Sequence, residues 1–116
     1  MPDIDIPNRV ANFSSLGNSA NSFPATTVFT PTVAGLYRVS FYVAEPAYPN
    51  PSANLQISWT DANGARSYSP QYSNVIPQVE AVVYSASSQP IKFGITNISA
   101  AGGPVMFDIY VEVEQL

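Results

Sequence analysis

Residues 36–44 read LYRVSFYVA, and this stretch decides the fold. Tyr37, Val39, Phe41 and Val43 stand at every second position, with Leu36, Arg38, Ser40 and Tyr42 between them. A period of two puts the first set on one face of a pleated strand and the second on the other. Upstream, Thr30-Pro31-Thr32-Val33-Ala34-Gly35 carries the Pro and Gly of a turn. Downstream, Pro46, Pro49 and Pro51 fall within residues 45–52 and make that segment a loop, since proline donates no ladder hydrogen bond.

The same alternation extends on both sides. Residues 25–29 form a short β-favouring run. Residues 54–60 place Leu55, Ile57 and Trp59 inward and Asn54, Gln56, Ser58 and Thr60 outward. Asp61-Ala62-Asn63-Gly64 is a tight-turn signal, so residues 65–69 return as a hairpin partner. Residues 70–77 read as irregular. Strands follow at 79–85 and 91–97, with a turn at Ser87-Ser88-Gln89-Pro90 between them, and residues 99–104 form a connection. The last strand, 105–114, sets Val105, Phe107, Ile109, Val111 and Val113 against Met106, Asp108, Tyr110, Glu112 and Glu114. About seven or eight short strands without a convincing helix predict an all-β sandwich or barrel. Its expected core is Phe41, Ile57, Trp59, Phe93, Phe107, Ile109 and Val111.

Residues 1–24 differ. They hold Pro2, Pro7 and Pro24 and apolar residues with no sustained period: Ile4, Ile6, Val10, Phe13, Leu16 and Phe23. One reading is a loosely ordered terminus. The other is an extended arm that orders on a partner, because the segment is too apolar for a purely solvated tail. Part of it as a first edge strand is the variant between them. The expected organisation is an N-terminal arm over 1–24 and a sandwich domain over 25–116.

The chain has 116 residues, eight of them acidic, four basic and none Cys or His, with a net charge of −4. A compact domain of this length has a radius of gyration of roughly 13–14 Å. The acidic balance, with a pI near 4.3, argues against nucleic-acid binding, which needs a basic surface. The missing Cys and His exclude disulfides, thiol nucleophiles, imidazole bases and Cys/His metal sites. No apolar run reaches the roughly 18–20 residues of a membrane-spanning helix, and the N-terminus lacks a signal-peptide pattern. The expectation is a complete small protein made in the cytosol.

Few constellations suggest chemistry. Asp108, Glu112 and Glu114 share one face of the final strand, as a metal site or a glycosidase pair could use. A solvated face that discourages edge pairing explains them as well. Asp61-Ala62-Asn63-Gly64 superficially resembles a calcium loop but lacks the downstream Glu. Asp3 and Asp5 suit either a cation or a basic partner. A hydroxyl nucleophile would have only Lys92 or a carboxylate as base, and no phosphate-cradling Gly-rich loop precedes a helix. The chain is therefore expected not to be an enzyme and to need no cofactor. Seven Tyr accompany abundant Asn, Ser and Gln, a composition typical of adaptable contact surfaces. Tyr48, Tyr68, Tyr72 and Tyr84 fall in loops or at outward positions.

Residues 26–43, TTVFTPTVAGLYRVSFYV, resemble the G-x-Y strand of tumour-necrosis-factor and complement-like jelly rolls. They are more similar still to small β-sandwich proteins encoded among the virion genes of tailed bacteriophages. In those, a Leu/Ile-x-W-T-D strand and turn follows, matched here by Leu55-Gln56-Ile57-Ser58-Trp59-Thr60-Asp61. The likeness fades through residues 68–84 and returns weakly in MFDIYVEVE, residues 106–114, covering about half of the chain. It implies a virion surface protein of jelly-roll type, often trimeric, and carries no catalytic residue. The leading expectation is a phage capsid decoration (cement) protein, assembled in the host cytoplasm and bound to the major capsid protein or another virion protein. The arm residues Ile4, Ile6, Val10, Phe13, Leu16 and Phe23 would be its attachment. The alternative is a tail-fibre module that binds a receptor or glycan through Tyr48, Tyr68 and Tyr72. A weak hydrolase using Asp108 or Glu112 is the third class.

Overall fold

The computed structural model describes residues 8–20, 23–44, 52–73, 78–99 and 105–116. Its strands are β1 (Asn8–Ala20), β2 (Phe23–Phe29), β3 (Gly35–Ala44), β4 (Ser52–Asp61), β5 (Gly64–Tyr68), β6 (Gln71–Ser73), β7 (Gln78–Ser85), β8 (Ile91–Ser99) and β9 (Val105–Gln115). Among the described residues there is no helix. All pairings are antiparallel: β1 with β9, β2 with β8, β3 with β7 and β4 with β5. The chain is thus one long ribbon folded back at the turn between Asp61 and Gly64. Successive pairs of the ribbon alternate between two sheets, which further pairing of β9 with β3 and of β8 with β4 closes. This winding is a jelly-roll-like antiparallel sandwich. One sheet has the order β1-β9-β3-β7, the other β2-β8-β4-β5. β6 pairs Ser52–Asn54 of β4 while β5 pairs Ile57–Asp61, so five strands fill four positions across the second sheet.

Two elements depart from the expectation. β6 lies in the segment read as irregular; its three residues are held by β4, a non-local pairing without a local sequence signal. More consequential, within the expected arm Asn8–Ala20 forms the edge strand β1, in line with the edge-strand variant of the reading, while β2 begins at Phe23, across the boundary drawn at residue 25. Two register shifts in β1, between Arg9 and Ala11 and between Ser15 and Asn18, explain why its apolar residues show no steady period. Each bulge inserts a residue and breaks the alternation. At the second, Gly17 adopts φ 68° and donates its N–H to Asp108 Oδ1 at 2.7 Å. Residues 1–7, with Ile4 and Ile6, lie outside the described residues.

The core follows the alternation of β3, β4, β8 and β9. Tyr37, Val39, Phe41 and Val43 face Leu55, Ile57, Ile91, Phe93 and Ile95 of the other sheet, together with Phe107, Ile109, Val111 and Val113. The Tyr37 hydroxyl donates to the Val33 carbonyl at 2.6 Å, which lets the ring be buried with its polar end satisfied. Trp59 is the one expected core residue that is only half-buried. It stands opposite Arg66 of β5, and β5 is exposed along most of its length, so cover thins there. The molecule is a slab of 53 × 34 × 20 Å, and this flatness raises its radius of gyration to 15.1 Å.

Gly94 shows how closely β2 lies on β8. A Cβ on Gly94 would stand 3.2 Å from the Phe23 carbonyl oxygen and 3.3 Å from Ala25 Cα. Those are backbone atoms beside a register shift of β2, so they yield only by moving the strand. Gly94→Ala is expected to cost about 1–3 kcal/mol, read as a lowered urea midpoint at unchanged m-value.

Candidate functional site

Of the residues expected to attach the chain to a partner, Val10, Phe13 and Phe23 pack against the protein's own core. Phe13 lies 5.0 Å, ring to ring, from Phe93, and Phe23 stacks on Phe93 at 5.4 Å. Leu16 points to solvent at the bulge with 63% exposure. Tyr68 is exposed at the end of β5, and Tyr72 lies in β6, where the backbone at Ala53 pairs with it. Tyr48 and most of the loop that carries it lie outside the described residues. Tyr68 and Trp59 flank a cavity of about 380 Å³ beside Glu80–Val83 of β7.

The outer face of the β1-β9-β3-β7 sheet holds most of the remaining candidates. Antiparallel register sets its outward residues in rows across the strands. Leu36 stands opposite Tyr84, and the Leu116 N–H reaches the Leu36 carbonyl at 3.0 Å. The next row runs Arg9, Glu114, Arg38, Val82; the next Asn12, Glu112, Ser40, Glu80; and the next Ser14, Tyr110, Tyr42, Gln78. The face therefore has two ends. Leu36, Val82, Tyr84 and Leu116 make one apolar, each about half exposed. At the other, a groove of about 460 Å³ opens between Asn12, Ser40, Tyr42, Gln78, Tyr110 and Glu112. Between them Arg38 holds Nε 2.8 Å from Glu80 and Nη1 3.6 Å from Glu114.

The three carboxylates of β9 consequently have different surroundings. Asp108 caps the Gly17 bulge, Glu114 pairs with Arg38, and Glu112 lines the groove. Among the described residues no group of three or more acidic side chains converges as a metal site would require. Asp61 is occupied in its turn: Oδ1 accepts the Asn63 N–H at 2.8 Å and Oδ2 accepts from Arg66 Nε at 2.8 Å. The Arg66 hydrogen bond, and after it the Asn63 N–H, hold its carboxyl below the ordinary value. A depressed folded-state pKa gives stability that is present above the unfolded value and lost as pH falls through the folded one. The urea midpoint of the native protein should therefore drop more steeply below about pH 4 than that of Asp61→Asn. Parallel profiles would leave the turn without this contribution.

Sequence reading had placed Tyr42 and Tyr110 on outward faces but not together. Their meeting, with ring centroids 6.0 Å apart and planes at 54°, needs the β3–β9 pairing, which no local pattern encodes.

No family model and no curated protein matches the chain. Among solved structures, it is similar to PRD1 vertex protein P5, with a TM-score of 0.57 at 9% identity, covering 97% of this chain and 99% of that one. It also matches a chain titled BiXyn10A CBM1 APO, with a TM-score of 0.44 at 14% identity over 88% of this chain and 70% of that one. The vertex protein shares the fold across the full length of both chains.

Proposed function

We propose that the chain is a non-enzymatic structural protein of a phage virion, and within that class a capsid decoration (cement) protein. The observation that carries the reading is the end-to-end match of fold with a phage virion vertex protein, in which neither chain has a large unmatched part. The virion-protein resemblance of residues 26–43 and 55–61 supports it independently of the fold match. The reading includes self-association as a trimer. The apolar end of the outer face, Leu36, Val82, Tyr84 and Leu116, is the surface that a neighbouring subunit would cover, since contiguous exposed apolar patches mark interfaces. Attachment to the shell then falls to residues 1–7, with Ile4 and Ile6, and to Leu16, because Val10, Phe13 and Phe23 serve the core.

Quantitative mass spectrometry of purified particles of the phage that carries the gene tests this. Copies comparable in number to the major capsid protein support a decoration protein. A handful per particle places the chain at a vertex or in a tail fibre, and absence from the particle overturns the virion reading. Sedimentation of the isolated protein should give a trimer; a monomer of 12.4 kDa at high micromolar concentration would remove self-association in solution.

A further inference from the structure

We infer that the groove on the outer face of the β1-β9-β3-β7 sheet, built on Tyr42 and Tyr110, binds a neutral saccharide. The argument begins with what the groove offers. Tyr42 and Tyr110 are 47% and 44% exposed, and their tilted rings form an aromatic floor. Around it stand Asn12, Gln78, Ser40 and Glu112, one from each of the four strands. Among the described residues, none of these six side chains makes a hydrogen bond or ion pair with another. The two amides donate and accept, the hydroxyls do both, and the carboxylate accepts.

This combination selects a ligand class. A sugar presents a C–H face that packs on an aromatic ring and hydroxyls that each donate and accept. A cavity of about 460 Å³ suits a mono- or disaccharide. Anionic ligands are disfavoured: Glu112 and Glu80 share one row of the face, and Arg38 in the adjoining row is already flanked by Glu80 and Glu114. An extended peptide would have to add to the outer side of β1 or β7, away from the two rings, because β9 and β3 beneath them have both sides of their backbone engaged in the ladder. A quaternary ammonium ligand would use the rings and Glu112 but would leave the two amides and Ser40 without a role. A second copy of this chain fits the apolar end of the face better than this polar one.

Tyr68 does not line the groove, and the inference stands whether or not the chain belongs to a virion. Saturation-transfer NMR on the full chain tests it. The panel is glucose, galactose, mannose, N-acetylglucosamine, maltose and cellobiose, with N-acetylneuraminic acid and choline as charged controls. The expected result is transfer to the ring protons of at least one neutral sugar at millimolar concentration and none to either control. Tyr42→Ala and Tyr110→Ala should each raise the dissociation constant at least about tenfold with an unchanged far-UV spectrum, and Tyr68→Ala should leave it unaltered. Glu112→Gln, which removes a charge without removing bulk, should weaken binding several-fold, and it serves as the test if an alanine variant fails to fold. The inference is overturned if no neutral sugar binds, if choline or the acidic sugar binds as well as the neutral ones, or if Glu112→Gln and whichever tyrosine variants fold all bind normally.

Discussion

Deletion of residues 1–22 should leave a chain that neither folds cooperatively nor stays monodisperse. β1 pairs with β9 from Asn8 opposite Gln115 to Ala20 opposite Val105. Without it β9 becomes an edge, with one side of its backbone unpaired and Ile109, Val111 and Val113 uncovered on their flank. Val10 and Phe13 are partly buried, so their loss removes up to roughly 1.5–3 kcal/mol per side chain, the value for complete burial. Each ladder hydrogen bond adds roughly 0.5–1.5 kcal/mol. Together these reach the whole of a small domain's stability, about 5–15 kcal/mol. A long apolar edge also invites pairing between chains. Far-UV circular dichroism and size-exclusion chromatography read the outcome. A folded truncated protein of unchanged oligomeric state would instead make β1 a detachable arm, as the first 24 residues suggest on sequence alone.

Phe93→Ala is expected to be the most damaging single truncation, at about 3–5 kcal/mol. Phe93 is fully buried and is the hub of a ring cluster: Phe13 at 5.0 Å, Phe41 edge-on at 5.3 Å and Phe23 stacked at 5.4 Å. These partners come from β1, β3 and β2, so one side chain on β8 ties together both sheets and the edge strand of each. Each ring pair contributes about 0.5–1.5 kcal/mol beyond area burial. Phe93→Leu, which keeps most of the volume, should cost about 1–2 kcal/mol and keeps the measurement possible if the alanine variant is unfolded. Urea denaturation of both variants checks the order. A cost for Phe93→Ala no larger than that of Trp59→Ala would contradict the hub, because Trp59 is only half-buried.

The central strands were legible because each keeps its period of two from end to end, and LYRVSFYVA needs no partner to reveal its buried face. β1 was legible only as one variant among three, because its bulges at Val10 and at Leu16–Gly17 shift the phase twice within thirteen residues. Trp59 was placed on the correct face, but sequence could not show that the opposing sheet thins beside β5. The groove was illegible for a different reason. Its tyrosines lie on strands nearly seventy residues apart in the chain, and alternation states which face a residue takes but not which strand lies beside it.

The ribbon winding also fixes a calendar for synthesis. The two-residue turn between β4 and β5 needs only its immediate neighbours, so that hairpin can close while β7, β8 and β9 are still unmade. Every other pair of the ribbon joins residues farther apart than the one before, and the first strand to leave the ribosome waits for the last. Asn8 pairs with Gln115, 107 residues later in the chain. Closure of the sandwich therefore waits for its most non-local pairing, at the slow rates of such β topologies. Until then Val10, Phe13 and Phe23 remain on an unpaired segment. Exposed apolar side chains on an unpaired strand make the incompletely folded chain prone to aggregate, a hazard that the finished sandwich removes by burying them.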